Sequence, residues 1–142
     1  MMTNYEVMEL IYDSLRNARS VIEDGGIWEP LIHLCHPDGV QSIVIPIAQS
    51  ASAHKINVAA QINRLRKELN AYLVIMLADN LIAETISVAG PYEALVVTIW
   101  GSDGLPTYGT QEYRRCIGGQ VLFEEFLWGV DFQYARPDVR SH

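Results

Sequence analysis

The spacing of apolar and polar residues changes rhythm repeatedly along this chain, and each rhythm predicts an element. Val7, Ile11, Leu15, Ala18 and Ile22 recur every three or four residues and form one stripe of a helix, with Glu6, Glu9, Asp13, Arg16 and Ser20 on the other side. Thr3 and Glu6 have capping-box spacing ahead of that stripe, and Gly25-Gly26 can take the positive φ that ends a helix. The pattern predicts a helix over 4–24. Residues 31–36 and 40–47 are then β-rich, with Pro37-Asp38-Gly39 between them. Runs joined so closely must pair antiparallel, because a parallel pair needs a long crossover. A type I turn followed by a bulge at Gly39 would pair His36 with Val40, Leu34 with Ser42 and Ile32 with Val44. Leu31, His33 and Cys35 would then share the opposite face with Gln41, Ile43 and Ile45. Both faces are largely apolar, so the hairpin is expected to be covered on both sides.

Helical spacing returns at Val58, Ile62, Leu65, Leu69 and Tyr72, behind a cap at Ser50 or Ser52. Residues 71–78 are apolar throughout and fit either a continued helix or a buried strand. A break near Asn70, which accepts the left-handed conformation, favours the strand. Asp79-Asn80 and Gly90-Pro91 flank a weaker strand or irregular segment over 81–89. Residues 93–100 read as a strand, Gly101-Ser-Asp-Gly104 as a turn, and 108–117 as a returning strand that Gly118-Gly119 breaks. Residues 121–128 fit a strand or a short helix equally well. A polar tail over 133–142 is expected to be loosely ordered.

Both helices are amphipathic and need a surface to cover. The order α-β-β-α-β-β-β therefore predicts a single α+β domain over 1–142. Its sheet is antiparallel-rich or mixed, has five or six strands, and carries two helices packed on it. The 142 residues suffice for a core without staples. A net charge of −7 disfavours nucleic acid and anionic membrane as partners. The acidity sits in the second half: residues 71–142 carry four Lys/Arg against nine Asp/Glu, and residues 1–70 six against eight. Cys35 and Cys116 form no disulfide framework and read as reduced thiols of a cytoplasmic protein. The first residues lack a positively charged start before an apolar run, so no signal peptide is expected. No apolar run approaches the ~20 residues that span a bilayer.

Candidate chemistry is sparse. In His33-Leu-Cys35-His36, strand alternation puts His33 and Cys35 on one face and His36 on the other, so the three do not converge on one ion, and His54 lies beyond the hairpin. His33 and Cys35 share a face about 7 Å apart by strand rise, which is too far to establish a nucleophile–base pair, and nothing is placed to lower the thiol pKa. Asp79, Glu84, Glu93, Asp103, Glu124 and Glu125 could supply acid–base or Mg²⁺ chemistry, and strand-end or edge protection explains them equally well. Asp38 is accounted for by its turn. Lys55, Arg64, Arg66 and Lys67 spread around a helix and read as a solvated face. Arg114 and Arg115 alternate across a strand. No phosphate loop or dinucleotide fingerprint occurs. Of Trp28, Trp100, Trp128, Tyr92, Tyr108, Tyr113 and Tyr134, several sit at strand ends or turns, and for the set core packing is the first explanation and a subunit interface the second.

An amphipathic helix feeding an apolar strand that ends near Glu84, followed by Tyr92-Glu-Ala-Leu-Val-Val97 and a Gly turn, resembles the layout of small bacterial and phage-encoded proteins. That resemblance carries no activity. The reading is a non-catalytic binding or assembly domain that forms a homo-oligomer or contacts another protein, with no cofactor and no metal. The rival is a small hydrolase or ligand-binding enzyme with a carboxylate site at Glu84, Glu93 and Glu124, which requires those side chains to share a cleft.

Overall fold

A computed structural model of the chain describes residues 1–45, 52–82, 92–101 and 106–129. Helix α1 (Asn4–Glu23) opens on the predicted capping box. Thr3 Oγ1 accepts from the Glu6 amide at 3.1 Å, and the Glu6 carboxylate accepts from the Thr3 amide at 2.9 Å. Those bonds hold the Glu6 carboxyl below its ordinary range. Ile11, Leu15, Ala18 and Ile22 of the predicted stripe are buried, and Gly25 takes φ +82° just past the helix.

Strands β1 (Leu31–His36) and β2 (Gly39–Val44) form the expected antiparallel hairpin in a register one residue tighter than expected. His36 pairs with Gly39, Leu34 with Gln41 and Ile32 with Ile43, so the loop is only Pro37-Asp38. Gly39 makes this possible by adopting φ +142° within the ladder instead of forming a bulge. The slip exchanges face partners: Ile43 now lies beside buried Ile32, and Ser42 beside His33. The expectation of cover on both faces holds for β1, whose residues 32–35 are buried, and fails for β2, which is exposed at every position but Ile43.

Helix α2 (Ser52–Leu69) ends where predicted, because Asn70 adopts φ +55° and Ala71 N–H closes onto the Arg66 carbonyl at 2.9 Å. Of residues 71–78, 73–78 resolve as strand, within β3 (Leu73–Ile82), and 71–72 form the bend that leads into it. Asp79-Asn80 do not interrupt it: they pair with Leu95 and Ala94, and the Asp79 side chain is hydrogen-bonded across the sheet. β4 (Tyr92–Trp100) and β5 (Pro106–Arg115) complete a second hairpin. Residues 121–128 resolve into two short strands, β6 (Val121–Phe123) and β7 (Leu127–Trp128), both paired with β5. The caps at Ser50 and Ser52, the side chain of Val58, the segment 83–89, Ser102 to Gly104 and the tail 133–142 lie outside the described residues.

The result is an α+β fold with seven antiparallel strands among the described residues, ordered β2-β1-β3-β4-β5-β6, with β7 beside β5. The helices take opposite faces. α1 packs with Cys35, Ile75, Leu77, Leu95, Val97 and Tyr113, while Ile62, Leu65 and Leu69 of α2 pack with Ile32, Leu34 and Val74. Consecutive residues of β1 and β3 thus feed two separate cores, which is why residues 73–78 of β3 read as an unbroken apolar run and β1 carries apolar residues on both faces.

Candidate functional site

Alternation along β3, β4 and β5 brings Asp79, Glu93, Tyr113 and Arg115 to the face that α1 covers. The Tyr113 hydroxyl lies 2.7 Å from Asp79 Oδ1 and 3.2 Å from Glu93 Oε1, and Arg115 Nε donates to Glu93 Oε2 at 2.9 Å. The Arg115 guanidinium also lies 5.7 Å from the centre of the Tyr113 ring. Burial pushes the Asp79 carboxyl up, against the lowering effect of the Tyr113 hydrogen bond, with Glu93 adding to the rise and Arg115 opposing it. Burial and the Asp79 carboxylate push the Tyr113 phenol up. Tyr113 is only 1% exposed, so its hydroxyl works inside the fold as a clasp across three strands.

Glu124 is not part of this cluster. It pairs with Arg114 at 3.9 Å, and Arg114 alternates with Tyr113 and Arg115, so Glu93 and Glu124 serve opposite faces. Glu125 is exposed, and Glu84 and Asp103 lie outside the described residues. Among the described residues, no group of three or more His, Cys, Asp or Glu side chains could hold a metal ion.

His33 and Cys35 share a face as the strand period requires, but they do different things. Cys35 is fully buried under α1, and burial pushes its thiol up, away from nucleophilic character. His33 is spanned by two serines: Ser14 Oγ at 2.9 Å from Nε2 and Ser42 Oγ at 2.7 Å from Nδ1. Ser14 donates its proton to the Leu10 carbonyl at 2.8 Å, so it accepts from His33 Nε2–H. Neutral His33 then accepts from the Ser42 hydroxyl at Nδ1. Burial holds the imidazole below its ordinary pKa, consistent with that neutral tautomer. The triplet links α1, β1 and β2. His36 points away, with Nδ1 accepting from the Asp38 amide at 3.3 Å.

Several other polar side chains are also tied. Arg19 donates to Gln111 Oε1 at 3.1 Å, and Gln111 Nε2 donates to the Glu124 carbonyl at 2.8 Å. Arg66 donates to the Gly101 carbonyl, and Arg64 lies 3.8 Å from Glu68 on the exposed surface of α2. Trp28, Trp100 and Trp128 pack against the two cores, with Trp28 Nε1 donating to the Leu77 carbonyl at 3.2 Å. Core packing accounts for the tryptophans and for Tyr113.

Among the described residues, no strand lies beside the outer edge of β2. Ile45 N–H donates to the Pro30 carbonyl at 2.9 Å, which fixes the phase of the β1–β2 ladder. Hydrogen-bonded pairs alternate along an antiparallel ladder, so Gly39, Gln41 and Ile43 bond inward to β1, whereas the amides and carbonyls of Val40, Ser42 and Val44 aim outward. The strand Gly39-Val-Gln-Ser-Ile-Val44 contains no charge, no proline and no bulge, and Val40 and Val44 are 40% and 54% exposed. Charge, proline and bulges normally blunt an edge, and β2 carries none of these three. At the other end of the sheet, β6 and β7 are three and two residues long, which is itself protection. The apolar pattern of β2 predicts cover on both faces and so conceals this edge in the sequence. The available signal was the absence of charge over 39–47.

Comparison with protein-family models, curated proteins and solved structures found no match. No helix among the described residues is long and apolar enough to cross a membrane.

Proposed function

We propose that this chain is a non-catalytic binding domain that engages protein by accepting an extended strand at the β2 edge. The observation that carries the reading is a six-residue, uncharged, exposed edge strand with a row of outward amides and carbonyls at Val40, Ser42 and Val44. Such an edge gives affinity through backbone hydrogen bonds and specificity through alternate side chains. A carboxylate-based hydrolase or ligand-binding enzyme is less well supported. The Glu93 oxygens are taken by Tyr113 and Arg115, and Glu124 serves another face.

Selection of displayed peptides tests this reading. The wild-type protein should enrich extended, β-branched segments, and Ser42→Ala should still do so because it keeps the outward amide. Ser42→Pro removes that amide while sparing the ladder to β1, and should lose the enrichment. Equal enrichment by the wild type and Ser42→Pro, or none by the wild type, would refute strand capture.

A further inference from the structure

The outward-bonding positions of β2 read Val40, Ser42, Val44, which is the same sequence in both directions. Two antiparallel strands related by a two-fold axis place residue i of one copy opposite its mirror position in the other, so a palindrome centred on the axis matches itself. From this we propose that the strand accepted at the β2 edge is β2 of a second copy, in a register centred on Ser42. The inference rests on the strand-accepting reading above and names its occupant.

In this register Ser42 faces Ser42 of the second copy, and Val40 and Val44 face each other twice. These are hydrogen-bonded pairs, so the outward amide and carbonyl of all three residues find partners in both copies. On the α1 face, valine meets valine and serine meets serine. On the α2 face, Gln41 meets Ile43. Each copy carries a net charge of −7, yet β2 holds no charged side chain, so the seam brings no like charges into opposition. The two sheets join into one continuous sheet across the axis, and the edge closes on itself. Because the contact is isologous, it stops at two chains and does not propagate into a fibre.

Paired charge substitutions test both partner and register. The wild type should show a concentration-dependent monomer–dimer equilibrium by sedimentation velocity. In an equal mixture of isotopically labelled and unlabelled protein, an intermolecular Hα–Hα contact should link Gln41 to Ile43, the non-hydrogen-bonded pair of this register. V40K/V44K sets lysine opposite lysine at both outer pairs and should weaken the dimer at least ~10-fold, the equivalent of about 1.4 kcal/mol. V40K/V44E sets lysine opposite glutamate in the Ser42-centred register alone, and should dimerise like the wild type. Unfolding midpoints of the monomers, measured in dilute solution, confirm that both variants fold.

A wild type that stays monomeric up to sub-millimolar concentration overturns the proposal, as does a V40K/V44E variant as weak as V40K/V44K. Either result combined with retained peptide enrichment would leave the edge as a strand acceptor for a different chain. Loss of both would remove the edge reading altogether.

Discussion

At Asp79 burial and hydrogen bonding pull against each other. Its partly buried carboxyl lies on the α1 face of β3, and its pKa is raised mainly by burial. A carboxyl whose folded pKa exceeds its unfolded value keeps its proton longer in the native state than in the unfolded chain. The native state then binds more protons across that window, and stability falls as pH rises from the ordinary carboxylate value of ~3.9 through the folded pKa. Asp79→Asn keeps an acceptor for the Tyr113 hydroxyl and removes the titration. Chemical denaturation between about pH 4 and about pH 7 should therefore show a shallower decline in the variant than in the wild type. A decline of equal slope would mean that Asp79 does not titrate as its surroundings require. His33 has the opposite sign: its depressed pKa favours the neutral ring, so its contribution is present above about pH 6.5 and is lost as pH falls through the folded value.

Among the elements, β5 shows how a single residue sets what can pack beside it. Gly109 lies opposite Trp128 in the β5–β7 pairing, and a Cβ there would come within 3.0 Å of ring atoms of both Phe126 and Trp128. Those rings meet edge to face at 4.9 Å over the bare backbone, and Phe126 also meets Tyr12 of α1 at 6.1 Å. Gly109→Ala should displace the aromatic pair and destabilise the protein by about 1–3 kcal/mol, the usual range for overpacking a well-filled site. A shift in the denaturant midpoint reads this directly, and an unchanged midpoint would show that the rings can relax at no cost. The junction of α2 and β3 was legible beforehand because Asn70 tolerates the left-handed turn. Residues 121–128 were not, because a run with Glu124-Glu125 in its middle has no clear period. Only pairing with β5 makes it two short strands.

Across the whole molecule, the sheet is unequal from centre to edge. Among the described residues, β3 and β4 are paired on both sides, whereas β2 has a neighbour on one side only. In dilute solution the slowest amide hydrogen exchange should fall on the inner strands β3 and β4. The amides of Val40, Ser42 and Val44 should exchange rapidly while those of Gln41 and Ile43 are protected, an alternation that reports the phase of the hairpin ladder. Uniform protection along β2 would contradict that phase. Local spacing alone determined the two amphipathic helices, the antiparallel hairpin at Pro37-Asp38 and the α+β class, because each depends on periodicity and turn chemistry within a few residues. The separation of Glu93 from Glu124, the union of Asp79 with Tyr113, the serine-bracketed His33 and the exposure of β2 were decided by tertiary structure. They depend on pairing partners and register between distant strands, and a one-residue shift in register exchanges every face that a short-range pattern can assign.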